Sequence, residues 1–124
     1  TTITPASGTD LLSIITNTLD TNKAEDINVI DLKGKSSIAD TMVIATGSST
    51  RQVAALADYV SKAVKANEFG IPLIEGLNQA DWVLLEAGRV LVHIFRPEVR
   101  IFYNLDKMWT AGFTEAEAST ETLN

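Results

Sequence analysis

Two apolar runs separated by a glycine turn set the strongest constraint on what this chain can fold into. The runs read DWVLLE and RVLVHIF, and Ala87 and Gly88 lie between them. Short apolar runs on either side of such a turn predict a β-hairpin. Because neighbouring residues of a strand point to opposite faces, each run supplies every second side chain to the same face. One face of this hairpin is therefore apolar enough to need a covering layer.

The length of the turn decides which residues of the hairpin face each other. A loop of two or four residues at Ala87-Gly88 predicts three cross-strand pairs: Glu86 with Arg89, Leu84 with Leu91, and Trp82 with His93. These six residues then share one face with Phe95, and the other face is purely aliphatic and belongs under helices. A mixed aromatic and polar face is typical of a protein interface. The alternatives are a three-residue loop, which would mix the two sets, or burial of Trp82 and Phe95 under a third layer.

Periodicity elsewhere predicts the elements that complete a sheet around the hairpin. In chain order we expect a helix from residue 9 or 10 to about 21, a strand at 27–32, a strand at 41–46, a helix opening at Ser49 and ending at Gly70, a possible short strand at 71–74, the hairpin, and helical turns at 98–109. This order predicts an α/β (α+β) fold: a single domain with a mixed β-sheet flanked by helices. We expect the domain at residues 9–113, between disordered tails at 1–8 and 114–124.

Composition excludes several classes of function. The chain has 124 residues, enough for one domain with a real core. It has no cysteine, which excludes disulfides, thiol catalysis and cysteine-ligated metals. Its net charge of −6 argues against non-specific binding to nucleic acid. No apolar run approaches the ~20 residues of a membrane helix, and the first residues do not read as a signal peptide. We therefore expect a cytoplasmic protein without a membrane partner.

A segment rich in arginine and aromatic residues follows the hairpin. It contains Arg96, Arg100, Phe102, Tyr103 and Trp109. Such residues stack on RNA bases, anchor a protein interface, or simply pack a final helix onto the sheet. The acidic balance of the chain opposes the RNA interpretation. We favour packing for Phe102 and Trp109, and an interface for the other three.

Catalytic and metal chemistry has no evident location in the sequence. Gly47-Ser48-Ser49 before a helix faintly resembles the turn of nucleotidyltransferases, which need two carboxylates close together to hold Mg²⁺. Asp81 and Glu86 are five residues apart, and odd spacing on a strand puts them on opposite faces. One histidine without cysteine does not predict a metal site. We expect no catalytic residue, cofactor or metal, and interpret residues 47–49 as a helix cap.

Short segments distributed along the chain together resemble one known family, the ribosomal silencing factors, also called RsfS or Iojap. The resemblance runs from about Leu11 to Trp109. The segments are Lys23-Ala24-Glu25-Asp26, Gly34-Lys35-Ser36-Ser37-Ile38-Ala39-Asp40, Val43-Ile44-Ala45-Thr46-Gly47, Arg51-Gln52-Val53, Glu75-Gly76, Asp81-Trp82-Val83-Leu84-Leu85, Val92-His93-Ile94-Phe95 and Phe102-Tyr103. Their order and spacing carry the resemblance.

The resemblance implies a binding protein rather than an enzyme. It implies a nucleotidyltransferase-like topology without catalytic carboxylates. The implied partner is the large-subunit ribosomal protein L-fourteen, on which the protein would block joining of the small subunit and lower translation when nutrients are scarce. Organellar relatives act in ribosome assembly, so an organellar matrix or stroma is a second possible location, and family members often form homodimers when free. The partner-binding residues expected from face and resemblance are Asp81, Trp82, Leu84, His93, Phe95, Arg96, Arg100 and Tyr103.

Three positions depart from the pattern of the family. Thr41 replaces a frequent aromatic residue, and Ile101 and Asn104 replace two frequent acids. If those acids contact a basic partner, binding here is weaker or distributed differently. The alternatives to the ribosomal interpretation are a divergent nucleotidyltransferase, a direct RNA-binding module and a structural homodimer.

Overall fold

The computed structural model describes residues 8–103. The elements in chain order are α1 (Gly8–Thr21), β1 (Glu25–Asp31), β2 (Thr41–Thr46), α2 (Thr50–Ala66), β3 (Leu73–Glu75), β4 (Trp82–Ala87), β5 (Val90–Phe95) and α3 (Pro97–Tyr103). The predicted tails, apart from Gly8, and residues 104–113 of the predicted domain lie outside the described residues. None of the helices within 8–103 is long and apolar enough to cross a membrane.

The five strands form one mixed sheet in the order β1-β2-β5-β4-β3. The β2–β5 pair is parallel, and the other three pairs are antiparallel. A parallel pair needs a long crossover connection, which here contains α2. This arrangement confirms the predicted fold class of a mixed sheet flanked by helices.

The main core lies between the sheet and the two long helices. Apolar residues recur every three or four positions in α1 and α2, so each helix presents one stripe to the sheet. The fully buried members include Ile15, Leu19, Val53 and Val64 from the helices and Val43, Val83, Leu85, Val92 and Ile94 from the strands. Each such side chain contributes about 1.5–3 kcal/mol relative to an exposed one. The aliphatic face of the hairpin is thus covered by helices, as predicted.

The predicted register of the hairpin is wrong by two residues. The observed pairs are Trp82 with Phe95, Leu84 with His93, Glu86 with Leu91, and Ala87 with Val90. The turn therefore consists of Gly88 and Arg89, because the first position of this tight turn needs the positive φ of +57° that Gly88 adopts. An even shift keeps every side chain on its predicted face. Arg89 donates to Asp40 and to the Ser37 carbonyl, not to Glu86.

Several element boundaries also differ from the prediction. Helix α2 ends at Ala66 with Asn67 as its C-cap, three residues before the predicted Gly70. Strand β1 begins at Glu25, and β3 occupies Leu73–Glu75. Element ends are set by hydrogen bonds that periodicity does not report, and Asn67 satisfies the Ala63 carbonyl with both its backbone N–H and its side chain.

Helix α2 begins with the predicted cap at Ser49. The Ser49 hydroxyl accepts a hydrogen bond from the Gln52 backbone N–H at 3.1 Å, and the Gln52 side chain accepts one from the Ser48 backbone N–H. We expect Ser49→Ala to lower the free energy of unfolding by about 1 kcal/mol, because the N-terminal N–H groups of the helix lose their cap. Urea denaturation measures this change. Ser49→Asp retains an acceptor and should keep wild-type stability; equal losses in both variants would contradict the capping role.

Candidate protein-binding surface

The face of the sheet opposite α1 and α2, here called the open face, is only partly covered. A second apolar cluster sits on its centre and comprises Ile30, Leu32, Ala39, Met42, Ile44, Leu91 and Phe95. Val99 of α3 packs against this cluster, so the 32–40 loop and α3 both cover the middle of the sheet. The β4–β3 end of the open face is more accessible, and of the predicted site residues it carries Trp82 and Leu84 of β4.

The predicted aromatic residues do not share one environment. Phe95 is fully buried and His93 is 6% exposed, whereas Trp82 and Leu84 are half-buried. The alternative that placed Trp82 and Phe95 in a core under a third layer therefore holds for Phe95 but only partly for Trp82. Phe95 and His93 lie beneath the surface that Trp82 and Leu84 form, and direct contact of these residues with a partner stays a prediction.

The Trp82 ring is held in place by its neighbours on the open face. Its Nε1–H donates to His93 Nδ1 at 2.8 Å, and its ring centroid lies 4.9 Å from that of Phe95. Because a tryptophan Nε1 is only a donor, His93 Nδ1 must be an acceptor and cannot carry a proton in this contact. The two residues are diagonal rather than directly opposed, a separation that aromatic side chains span. Trp82 is thus positioned before any partner arrives.

An ion-pair group lies beside Trp82. Arg96 donates to Asp81 and to Glu98, each at 2.8 Å, and its backbone N–H donates to the Asp81 carbonyl. The hydrogen bond to Asp81 raises the pKa of Arg96 above its ordinary value, so the guanidinium stays charged. Two carboxylates share one guanidinium, and the group carries a net charge of −1. Two of the predicted polar residues, Asp81 and Arg96, are therefore brought together here.

Arg100 and Tyr103 have different positions from the rest of the predicted site. Arg100 donates to the Asp26 carbonyl at 2.6 Å and to the Thr46 hydroxyl at 2.7 Å. It therefore ties α3 to the start of β1 and the end of β2. Tyr103 ends α3, and its side chain lies outside the described residues.

A cleft of about 790 Å³ opens between the β3–β4 connection and the start of α3. Its apolar wall is made by Leu77, Trp82 and Val99, and Asp81 and Glu98 supply carboxylates. A cleft of this size, with an aromatic wall and a few polar groups, accommodates the side chains of a protein partner. Sequence reasoning missed Leu77 and Val99, because their lining role depends on the path of the connection and of α3. The matches at Glu75-Gly76 and Asp81-Trp82 in the resemblance were the signals nearby.

The β3–β4 connection forms one wall of the cleft, and two of its residues have a positive φ. Gly76 has φ +86°, Ala80 has φ +55°, and the Ala80 N–H donates to the Gly76 carbonyl. A Cβ added to Gly76 would lie 2.2 Å from the Trp82 carbonyl oxygen. Residues that hold an uncommon φ concentrate at sites where the surrounding structure must fix a conformation. Here the conformation sets the positions of Asp81 and Trp82.

Metal chemistry has no evident basis on this surface. Among the residues that the structure describes, no group of three or more His, Asp or Glu side chains is placed to hold a metal ion. Asp81 precedes β4 and pairs with Arg96, while Glu86 lies on the open face four positions beyond Trp82. The described part of the surface presents an aromatic wall bordered by the carboxylates of Asp81 and Glu98.

Comparison with known proteins gives a consistent result. The family model described as ribosomal silencing factor during starvation matches residues 5–124. The ribosomal silencing factor RsfS of Zymomonas mobilis is 54% identical over 102 residues, which cover 82% of this chain and 77% of that protein. A crystal structure of a Chromobacterium violaceum protein superposes with a TM-score of 0.81 at 34% identity, covering 84% of this chain and 87% of that one. A mouse protein named mitochondrial assembly of ribosomal large subunit protein 1 is 31% identical over 118 residues, covering 90% of this chain and 52% of that protein.

The close approach at Gly76 leads to a stability test with an internal control. Gly34 has a similar φ of +83°, but a Cβ there would meet nothing within 4 Å. We expect Gly34→Ala to cost about 1–2 kcal/mol for the left-handed conformation. Gly76→Ala should cost about 1–3 kcal/mol more, because the Trp82 backbone must also move. Urea denaturation followed by circular dichroism measures both; equal losses would show that the close approach is unimportant.

Proposed function

This chain belongs to the ribosomal silencing factor family, and from that membership we propose that it binds the large ribosomal subunit and blocks joining of the small subunit. The proposed contact is the large-subunit ribosomal protein L-fourteen, and the proposed outcome is repression of translation under nutrient limitation. The family description names both the ribosome and starvation, which supports this proposal.

The observation that carries the proposal is the cleft beside Trp82. A half-buried tryptophan, fixed by His93 and bordered by Leu77 and Val99, has the character of an interface anchor. Because its ring is already positioned, little side-chain entropy is lost on binding. The group formed by Asp81, Arg96 and Glu98 adds a net negative charge, which favours a basic protein partner.

The proposed mechanism is steric and requires no catalysis. A protein bound at the joining face of the large subunit occupies space that the small subunit needs. Occupancy alone then shifts the subunits toward the separated state by mass action. We accordingly propose a non-enzymatic regulator, in keeping with the names of its relatives. It would act wherever its ribosomes are, in the bacterial cytoplasm or in an organellar matrix or stroma.

Self-association is part of the proposal for the free protein. An exposed aromatic cleft suits a homodimer as well as a ribosomal partner. A homodimer that used the Trp82 cleft would have to separate before binding the subunit. Sedimentation equilibrium of the free protein measures its oligomeric state directly.

A second candidate function is assembly of the large subunit. It is favoured by the 31% identity to the mouse protein, whose name refers to mitochondrial assembly of the ribosomal large subunit. An assembly factor also binds the large subunit, but it acts before the subunit is complete. The two functions therefore differ in whether binding to a mature subunit prevents joining.

Sucrose-gradient sedimentation of purified subunits distinguishes these functions. We expect the protein to migrate with the large subunit and to deplete the joined particle, because the bound protein excludes the small subunit. Co-migration without loss of joining would support assembly instead. Absence of co-migration at micromolar protein would contradict both ribosomal functions.

Removal of the Trp82 ring should weaken binding strongly. We expect Trp82→Ala to cost about 2 kcal/mol or more of binding free energy to ribosomal protein L-fourteen, or about 30-fold in Kd, because an interface anchor is lost. Isothermal titration calorimetry provides the measurement, and circular dichroism must show that the variant is folded.

Tyr59→Ala serves as the matched control for this experiment. Tyr59 is 47% exposed and belongs to α2, which packs on the other face of the sheet. It should bind as wild type. A folded Trp82→Ala variant with wild-type Kd would remove Trp82 from the interface.

A further inference from the structure

Strand β3 is an edge strand with exposed apolar side chains. It is the last strand of the sheet and pairs only with β4 among the described residues. Leu73 within it is 66% exposed, and Ile71 just before it is 82% exposed. Exposed strand edges are templates for pairing with another chain, and apolar side chains beside them add contact area. This edge is therefore suited to receive an additional strand.

The segment that contains β3 and β4 carries charges of a single sign. Residues 66–88 contain the four acids Glu68, Glu75, Asp81 and Glu86 and no lysine, arginine or histidine. Leu73 pairs with Glu86 and Glu75 pairs with Leu84, so these four residues share the open face. An incoming strand would thus meet apolar side chains and carboxylates side by side. Its complement is an extended segment with both apolar and basic side chains.

The opposite edge of the sheet does not share these features. Strand β1 has a bulge between Glu25 and Asn28, and Asp26 adopts φ +49°. Bulges twist an edge strand away from further pairing. The three pairs of β3 with β4 are regular. Of the two edge strands, β3 therefore has the more regular pairing with its neighbour.

We propose that an extended, lysine- or arginine-bearing segment of the ribosomal partner adds to β3 as a sixth strand. This inference rests on the proposed function and names the part of the chain that holds the partner. The backbone of β3 would provide hydrogen bonds, Ile71 and Leu73 would provide apolar contacts, and Glu75 and Glu86 would select basic side chains. A second copy of this chain is the poorer occupant, because pairing β3 with β3 of another copy brings the carboxylates of both copies close together.

The same segment of the partner would also reach the Trp82 cleft. Ile74 at the centre of β3 and Leu77 just beyond it both line the cleft. A strand added to β3 would therefore run beside the cleft, and the two contacts would form one continuous interface. The β3 edge would orient the partner, while Trp82 would anchor it.

Calorimetric titration with purified ribosomal protein L-fourteen tests this inference. We expect Ile71→Ser combined with Leu73→Ser to raise Kd at least tenfold, because both side chains are mostly exposed in the free protein and would be covered by the added strand. Val29→Ser is the matched control, since Val29 is 46% exposed on the other edge strand. It should leave Kd unchanged. Glu75→Lys should also weaken binding, since it places a cation against a basic segment.

Nuclear magnetic resonance of the complex tests strand addition itself. Cross-strand contacts between α-protons of the partner and those of residues 73–75 are expected if a sixth strand forms. Wild-type affinity in the double variant, or the absence of these contacts, would overturn the inference and leave the proposed function standing. If the wild-type chain fails to bind both L-fourteen and the large subunit, the proposed function itself fails.

Discussion

The burial of β5 on both of its faces is the constraint on which the rest of the structure depends. All six residues of this strand are buried. Val90, Val92 and Ile94 point into the core beneath α1 and α2, while Leu91 and Phe95 belong to the cluster on the open face. Hydrogen bonding to β2 on one side and β4 on the other makes β5 the centre of the sheet. Since hydrophobic burial dominates folding, a polar change in β5 affects two apolar clusters at once.

Hydrogen bonds from two arginines hold α3 against the sheet and so position the candidate surface. Arg96 follows β5 directly and binds Asp81 at the start of β4, and Arg100 reaches Asp26 and Thr46. A helix of seven residues is too short to be stable by itself. These hydrogen bonds and the contact of Val99 with the open-face cluster therefore hold α3 where it borders the cleft. In this chain the two arginines organise the surface, and their contact with a partner stays a prediction.

The hairpin shows how far local reasoning reaches. Alternation of apolar residues divided its side chains correctly into two faces, yet the pairing was wrong by two residues. The error was harmless for the faces because strands repeat every two residues. The error did affect the turn, which consists of Gly88 and Arg89. The Arg89 side chain donates to Asp40 instead of Glu86. The predicted site residues of this face differ in burial: Trp82 and Leu84 are half-buried, whereas Phe95 is buried by α3 and the 32–40 loop.

What the sequence by itself determined were the properties that depend on neighbours along the chain. The stripes of α1 and α2, the Ser49 cap, the apolar run of β2 and the two faces of the hairpin all follow from residue spacing, because helix and strand periods are local. Only the tertiary structure decided the strand order, the covering of Phe95, the pairing of Arg96 with Asp81 and the exposure of Leu73 at an edge. These features depend on contacts between residues that are distant in sequence. Many arrangements of such contacts have comparable free energies, and the packing of the whole domain selects one of them.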